Sequence, residues 1–174
     1  MKRRIFDDEG HAQFVTFSCY GRRRLLDHDQ AKQVVIGMLA SQLTKQNGKC
    51  SGFVVMPDHV HALVWFPATR QLGHFMKQWK QRSSVQIKKL LRERLMSYAG
   101  SWDLGAPVWQ ARYYPFSVYS TRKAIEKLDY MHLNPVKAGL VEAAADWRYS
   151  SARHYEYGQS VGVPIEWIFE GVPQ

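Results

Sequence analysis

The chain is short of acidic residues, of cysteine and of long apolar runs, and each shortage argues against a class of protein. Among 174 residues, 15 Asp and Glu face 24 Lys and Arg, giving a formal net charge of +9 and a pI near 9.7. Such an excess favours a polyanionic partner, nucleic acid ahead of a membrane because no amphipathic anchor or lipidation signal accompanies it. The two cysteines, Cys19 and Cys50, lie far apart and lack C-x-x-C spacing. That argues against a zinc-thiolate site or a disulfide framework and leaves buried free thiols. No apolar run approaches the ~20 residues of a membrane span. The basic start at Lys2-Arg3-Arg4 turns acidic at Asp7-Asp8, where a secretory signal would need an apolar core, so a cytoplasmic location is expected. The length predicts one domain with a real core.

What is present is periodic. Residues 13–20 alternate apolar and small polar side chains, the pattern of a strand packed on one face. Asp29 is placed to cap a helix over 30–45, with Ala31, Val34, Val35, Met38, Leu39 and Leu43 at helical spacing, and Asn47-Gly48-Lys49 stops it. The apolar run that follows is split at Pro57-Asp58 into strands over roughly 52–56 and 59–66. A long helix is predicted over 72–95, a loop over 97–107 and a strand around 116–119. A last helix is capped by Ser120 or Thr121, and Pro135 is expected to end it at Asn134. The order strand, helix, strand, strand, helix, strand, helix predicts an α+β, ferredoxin-like βαββαβ sandwich. It would have an antiparallel sheet with helices on one face, plus an additional C-terminal helix and an irregular tail.

Inside the most β-prone segment stand His59 and His61. Alternation along a strand puts both imidazoles on one face and Val60 on the other. Taken alone, the pair reads as two core or surface histidines as readily as two metal ligands.

The basic residues cluster. Between Arg70 and Arg94 eight basic side chains stand against the single Glu93. Lys77, Lys80, Ser84 and Lys88 fall on one helical stripe that can follow a nucleic-acid backbone, although a solvated helix face would show the same spacing. The triplet Arg22-Arg23-Arg24 follows the first strand, where phosphate contact and a solvated turn are equally good readings. The tail, with Trp147, Arg148 and Tyr149, mixes aromatic and basic residues suited to stacking on bases.

On the last helix Tyr130 and Asn134 are four apart and share a face. The segments Val55-Met56-Pro57-Asp58-His59-Val60-His61, Val108-Trp109-Gln110-Ala111-Arg112-Tyr113-Tyr114, Asp129-Tyr130-Met131-His132-Leu133-Asn134-Pro135-Val136-Lys137-Ala138-Gly139 and Asp146-Trp147-Arg148-Tyr149-Ser150-Ser151 run in order along the chain. In these segments it resembles the single-tyrosine HUH transposases (IS200-like), and within them the REP-associated tyrosine transposases of bacteria.

The resemblance implies that His59 and His61 bind a divalent metal, Mg2+ or Mn2+, with Asn134 at the position of the third ligand. Tyr130 would be the nucleophile, with Tyr114 the leading alternative and Tyr113, Tyr119 and His132 structural or DNA-contacting. The implied enzyme cleaves and rejoins single-stranded DNA through a covalent 5′-phosphotyrosine. Its implied partners are REP-like palindromic hairpins with a short guide sequence, and it would act as monomer or homodimer. Residues 1–142 would hold the transposase domain and 143–174 a tail packed on it. DNA would be contacted by Arg22, Arg23, Arg24, Lys77, Lys80, Lys88, Arg112, Trp147 and Arg148. Two other readings stand beside this one: a hairpin-binding module without catalysis, and a metal hydrolase of small phosphate esters, for which the basic stripe would be irrelevant.

Overall fold

The structure, a computed structural model, describes residues 10–100 and 102–170. Four strands, β1 (Ala12–Ser18), β2 (Lys49–Val55), β3 (His59–Trp65) and β4 (Tyr114–Val118), form one sheet in the order β2-β3-β1-β4 with every pair antiparallel. With α1 (Asp29–Lys45) between β1 and β2, and α2 (Gln71–Glu93) between β3 and β4, this is the expected βαββαβ arrangement.

Strand alternation sorts the side chains into two cores. Val15 and Phe17 of β1, Phe53 and Val55 of β2, and Val60, Ala62 and Val64 of β3 pack beneath α1 and α2. The intervening residues, Phe14, Val54 and Leu63, form a second core with Ala124, Leu128 and Met131 of α4 (Thr121–Lys137). The additional helix therefore covers the face that α1 and α2 leave open. Helix α2 docks through Leu72, Phe75, Met76, Trp79, Ser83, Ile87 and Leu91, a stripe at 3- and 4-residue spacing. The buried Trp79 donates its indole N–H to the Val35 carbonyl at 2.9 Å, which ties α2 to α1.

Three expectations are corrected in detail. The α1 N-cap is His28, whose ring nitrogen accepts from the Gln30 amide, and Asp29 is the first helical residue. The stretch expected as a loop contains a single helical turn, α3 (Met96–Ala99). Pro135 does not end α4: the helix continues to Lys137 with Pro135 buried inside it. The amide that Pro135 lacks removes one bond to the preceding turn. Beyond it the chain closes with Ala138, Gly139 and Leu140 donating to the carbonyls of Asn134, Val136 and Pro135, and Gly139 takes a φ of 70°. Asn134 is thus a residue of the helix proper, with a fixed direction.

After α4 the chain covers the outer edge of β2. The Val55 amide donates to the Tyr149 carbonyl, the Ser151 amide to Phe53, and the Glu166 amide to Cys50, at 2.8 to 2.9 Å. Trp147 donates its indole N–H to the Val55 carbonyl, and Tyr155 its hydroxyl to the Ser51 carbonyl. A short helix, α5 (Ala152–Tyr157), lies between these contacts. Exposed strand edges invite pairing with other chains, and these bonds occupy this one. No helix among the described residues is long and apolar enough to cross a membrane.

Candidate active site

His59 and His61 project from β3 toward α4, on the same face as Leu63, with ring centres 4.9 Å apart. Each is oriented through Nδ1. His61 shares a 2.7 Å hydrogen bond with Thr16 Oγ1 across the β1–β3 pair. His59 shares one of 2.6 Å with Asp58, whose other carboxylate oxygen pairs with Arg22 at 2.9 Å. With Nδ1 committed in both rings, Nε2 is the nitrogen that remains to meet a ligand. Burial, then the neighbouring His59 and the charges of Arg22 and Lys127, push the His61 pKa down to about 3, so this imidazole is neutral at ordinary pH.

Above the pair lies α4. The Tyr130 ring packs against His61 with centres 5.5 Å apart and against Phe14 at 6.1 Å. Ser120 caps the helix by accepting from the Lys123 amide, and burial of Leu128 and Met131 fixes its rotation. Tyr130, two residues after Leu128, is thereby left at the rim, half exposed. Asn134 follows one turn later on the same face.

Two buried polar atoms here find no hydrogen-bond partner: His61 Nε2 and Asn134 Nδ2. An unpaired buried polar atom costs about 1–3 kcal/mol, so a pair of them beside a possible ligand position is informative. Imidazoles held at Nδ1 and open at Nε2 are the arrangement of metal-ligating histidines with outer-sphere partners. The amide of Asn134 can turn its oxygen inward in place of its nitrogen. Among the described residues no three His, Cys, Asp or Glu side chains gather as a metal site; the carboxamide of Asn134 is a neutral oxygen donor on the Tyr130 face of α4. The donor set fits a divalent ion with coordination positions to spare.

The other candidates fall elsewhere. Tyr114 stands on β4 opposite Thr16, with β1 between it and His61. His132 turns away from the pair: its Nε2 bonds with Ser151 Oγ at 2.7 Å, and burial pushes its pKa down to about 4. Tyr119 is exposed and packs against His11.

The basic residues divide. Lys77, Lys80 and Ser84 line a cleft of about 380 Å³ between α2 and residues 107–113, which Gln110 and Tyr113 also line. Lys80 is partly committed, donating to the carbonyls of Gln110 and Ala111 at 2.7 and 2.9 Å, and burial lowers its pKa. Lys88 is half-buried further along the helix, and Arg112 and Arg148 are exposed. The arginine triplet is largely engaged within the chain. Arg22 holds Asp58, Arg23 donates to the Asp103 and Pro107 carbonyls, and Arg24 forms a bidentate pair with Asp27. Trp147 is half-buried and packs against both cores.

The sequence reading missed Thr16 and Asp58, the two groups that orient the histidines, and Lys127 and Lys137. Their ammonium groups lie 5.9 and 5.8 Å from the Tyr130 ring centre. Spacing held a signal for the lysines, which stand three before and seven after Tyr130 on one helix. No comparable signal marked Thr16, which is brought in only by strand pairing.

The chain is 24% identical over 117 residues to the REP-associated tyrosine transposase of Escherichia coli K12, covering 67% of this chain and 61% of that protein. It is 28% identical over 102 residues to a Haemophilus influenzae protein provisionally given the same name, covering 56% and 54%. The matched region thus spans little more than half the length of these curated relatives. Its fold matches that of a REP-associated tyrosine transposase solved with a bound REP hairpin, with a TM-score of 0.70 and 19% identity over 95% of this chain and 92% of the other. Residues 9–132, well over half the chain, match the family model described as Transposase IS200 like, and the chain belongs to that family.

Proposed function

We propose that this protein is a metal-dependent enzyme that cleaves and rejoins single-stranded DNA next to a hairpin, with Tyr130 as nucleophile. The observation that carries the reading is the packing of the Tyr130 phenol on His61, whose buried Nε2 has no partner. Tyr130 Oη attacks the scissile phosphorus, a new P–O bond forms to tyrosine, and the bond to the 3′ oxygen breaks, releasing a 3′-hydroxyl. The phosphodiester energy is retained in the 5′-phosphotyrosine, so rejoining reverses the step without an external energy source.

A Mg2+ or Mn2+ ion held by His59, His61 and Asn134 would supply Lewis acidity toward the phosphate when bound. The rest falls to the chain. Thr16 and Asp58 hold the imidazole orientations, and α4 aims the phenol. The cationic ends of Lys127 and Lys137 beside Tyr130 favour a phosphate at the ring and its developing charge. The α2 cleft, with Lys77 and Lys80, offers a grip on the duplex part through backbone phosphates. The related fold solved with a REP hairpin supports hairpin DNA as the substrate.

The test uses labelled DNA hairpins with varied single-stranded flanks, incubated with the protein and Mn2+, then denatured. Wild type is expected to carry a covalent DNA adduct, and Tyr130→Phe none, with binding retained. An undiminished adduct in Tyr130→Phe would remove that residue from the role. Salt-sensitive binding without an adduct in any metal would leave a binding module.

A further inference from the structure

The lysine cleft and Tyr130 lie on opposite faces of the sheet, and the chain joins them around the outer edge. Residues 107–113 border the cleft and run directly into β4, the edge strand. On β4, Tyr114 stands opposite Thr16 and Phe116 opposite Phe14, so both rings lie on the Tyr130 face, about 7 Å apart along the strand. They are 52% and 43% exposed, and Tyr130 is 44% exposed. A row of uncovered aromatic rings at the rim of a core marks a binding surface more often than an accident of packing.

A cation completes the row. Lys127, one turn before Tyr130, places its Nζ 4.5 Å from the centre of the Phe116 ring, 5.2 Å from Phe14 and 5.9 Å from Tyr130. The adjacent Glu126 is bound to Lys123. The surface therefore alternates flat apolar faces with positive charge, the combination that single-stranded nucleic acid recognises. The spacing of the two rings is about twice the 3.4 Å rise of stacked bases in a duplex strand, so it suits bases that have been pulled apart.

We propose that Tyr114, Phe116 and Lys127 form a track for the single-stranded DNA leading to the scissile phosphate. Two successive bases stack on the exposed parts of the rings, the Lys127 ammonium leaves the Phe116 face to meet the intervening phosphate, and the strand continues to Tyr130. The direction of travel, from a hairpin in the α2 cleft around the β4 edge, rests on the strand-transfer reading above. A second copy of the chain pairing on the β4 edge is the rival occupant, but the Lys127 charge within the patch favours a polyanion.

The test uses the full chain and a fluorescent short oligothymidylate without metal. Tyr114→Ala and Phe116→Ala are each expected to weaken binding about tenfold, and Tyr114→Phe to retain it. Lys127→Gln is expected to reduce the slope of log affinity against log salt by about 0.7. Wild type irradiated on oligothymidylate carrying one 5-iododeoxyuridine should yield a crosslinked peptide containing Tyr114 or Phe116. Unchanged affinity in all three loss variants, or crosslinks confined to other segments, would overturn the proposal. So would a change from dimer to monomer in Tyr114→Ala, seen by sedimentation, with DNA affinity intact. Failure of the strand-transfer reading is separate: no Tyr130 adduct with any hairpin, while the crosslink to Tyr114 or Phe116 persists.

Discussion

Each imidazole of the pair spends its Nδ1 on a different kind of neighbour, and this sets how firmly each is held. His61 is buried and bonds to a hydroxyl on the adjacent strand, whereas His59 depends on Asp58, the residue before it. Asp58 is shared with Arg22, which is more than half exposed, so the ion pair itself adds little stability. Asp58→Ala is therefore expected to leave the thermal midpoint nearly unchanged while weakening Mn2+ binding about 10- to 100-fold in a calorimetric titration. Equal Mn2+ affinity in the variant would show that Asp58 does not orient a ligand. At this scale the shared face of His59 and His61 was visible in the sequence because strand alternation is local, whereas Tyr130 was singled out by the resemblance of its segment to a known family. Thr16 was invisible, since it meets His61 from 45 residues away through strand register.

At the scale of elements, the seating of α4 on β2 decides where Tyr130 stands. The pairing of β2 with β3 shifts register between Cys50 and Gly52, and Gly52 faces Leu128, Met131 and the Ser151 hydroxyl. A Cβ at this position would overlap Leu128 Cδ2 and press on Ser151 Oγ, so with Leu128 in its present rotamer the helix seats this closely only over a glycine. Gly52→Ala is expected to lower stability by about 1–3 kcal/mol through overpacking, read as a reduced midpoint in urea. Because the same shift lifts α4 from the histidines, the variant should also form less adduct with a hairpin substrate. An unchanged midpoint would mean that the Leu128 side chain gives way without moving the helix. Strand and helix positions were readable from the sequence because alternation and 3.6-residue periods are local patterns. The end of α4 was not. The proline rule weighs one lost bond against an isolated helix, whereas here Pro135 is buried and the following turn closes around it.

For the whole molecule, residues 143–170 are part of the sheet's boundary. Three of the backbone bonds along the outer edge of β2 come from Tyr149, Ser151 and Glu166. Ser151 also reaches His132 on α4 and so links edge and helix. A chain ending at residue 142 is expected to aggregate or to melt well below the full chain in a thermal scan, because the Val55 amide and the Phe53 and Cys50 carbonyls lose these partners. An unaltered melting midpoint would make the segment dispensable to the fold. Charge follows a similar division of labour. The lysine cleft and the histidine pair occupy opposite sheet faces, and β4 is the edge around which one strand of DNA connects them under the proposed reading.

The sequence by itself determined the four strands and three long helices, the βαββαβ order, the shared face of His59 and His61, and the shared helical face of Tyr130 and Asn134, since all of these are local periodicities; the short helices α3 and α5 were not legible in it. Only the tertiary structure decided that α4 crosses the face bearing the histidines, that Thr16 and Asp58 orient them, that Pro135 stays inside its helix, and that much of the arginine triplet is bonded within the chain. The crossing of α4, the Thr16 contact and the burial of Pro135 depend on which surfaces pack together, so their free energy is settled between residues distant in the chain. The Asp58–His59 and Arg24–Asp27 bonds join near neighbours, and there the backbone geometry of the turn decides which partner each side chain meets.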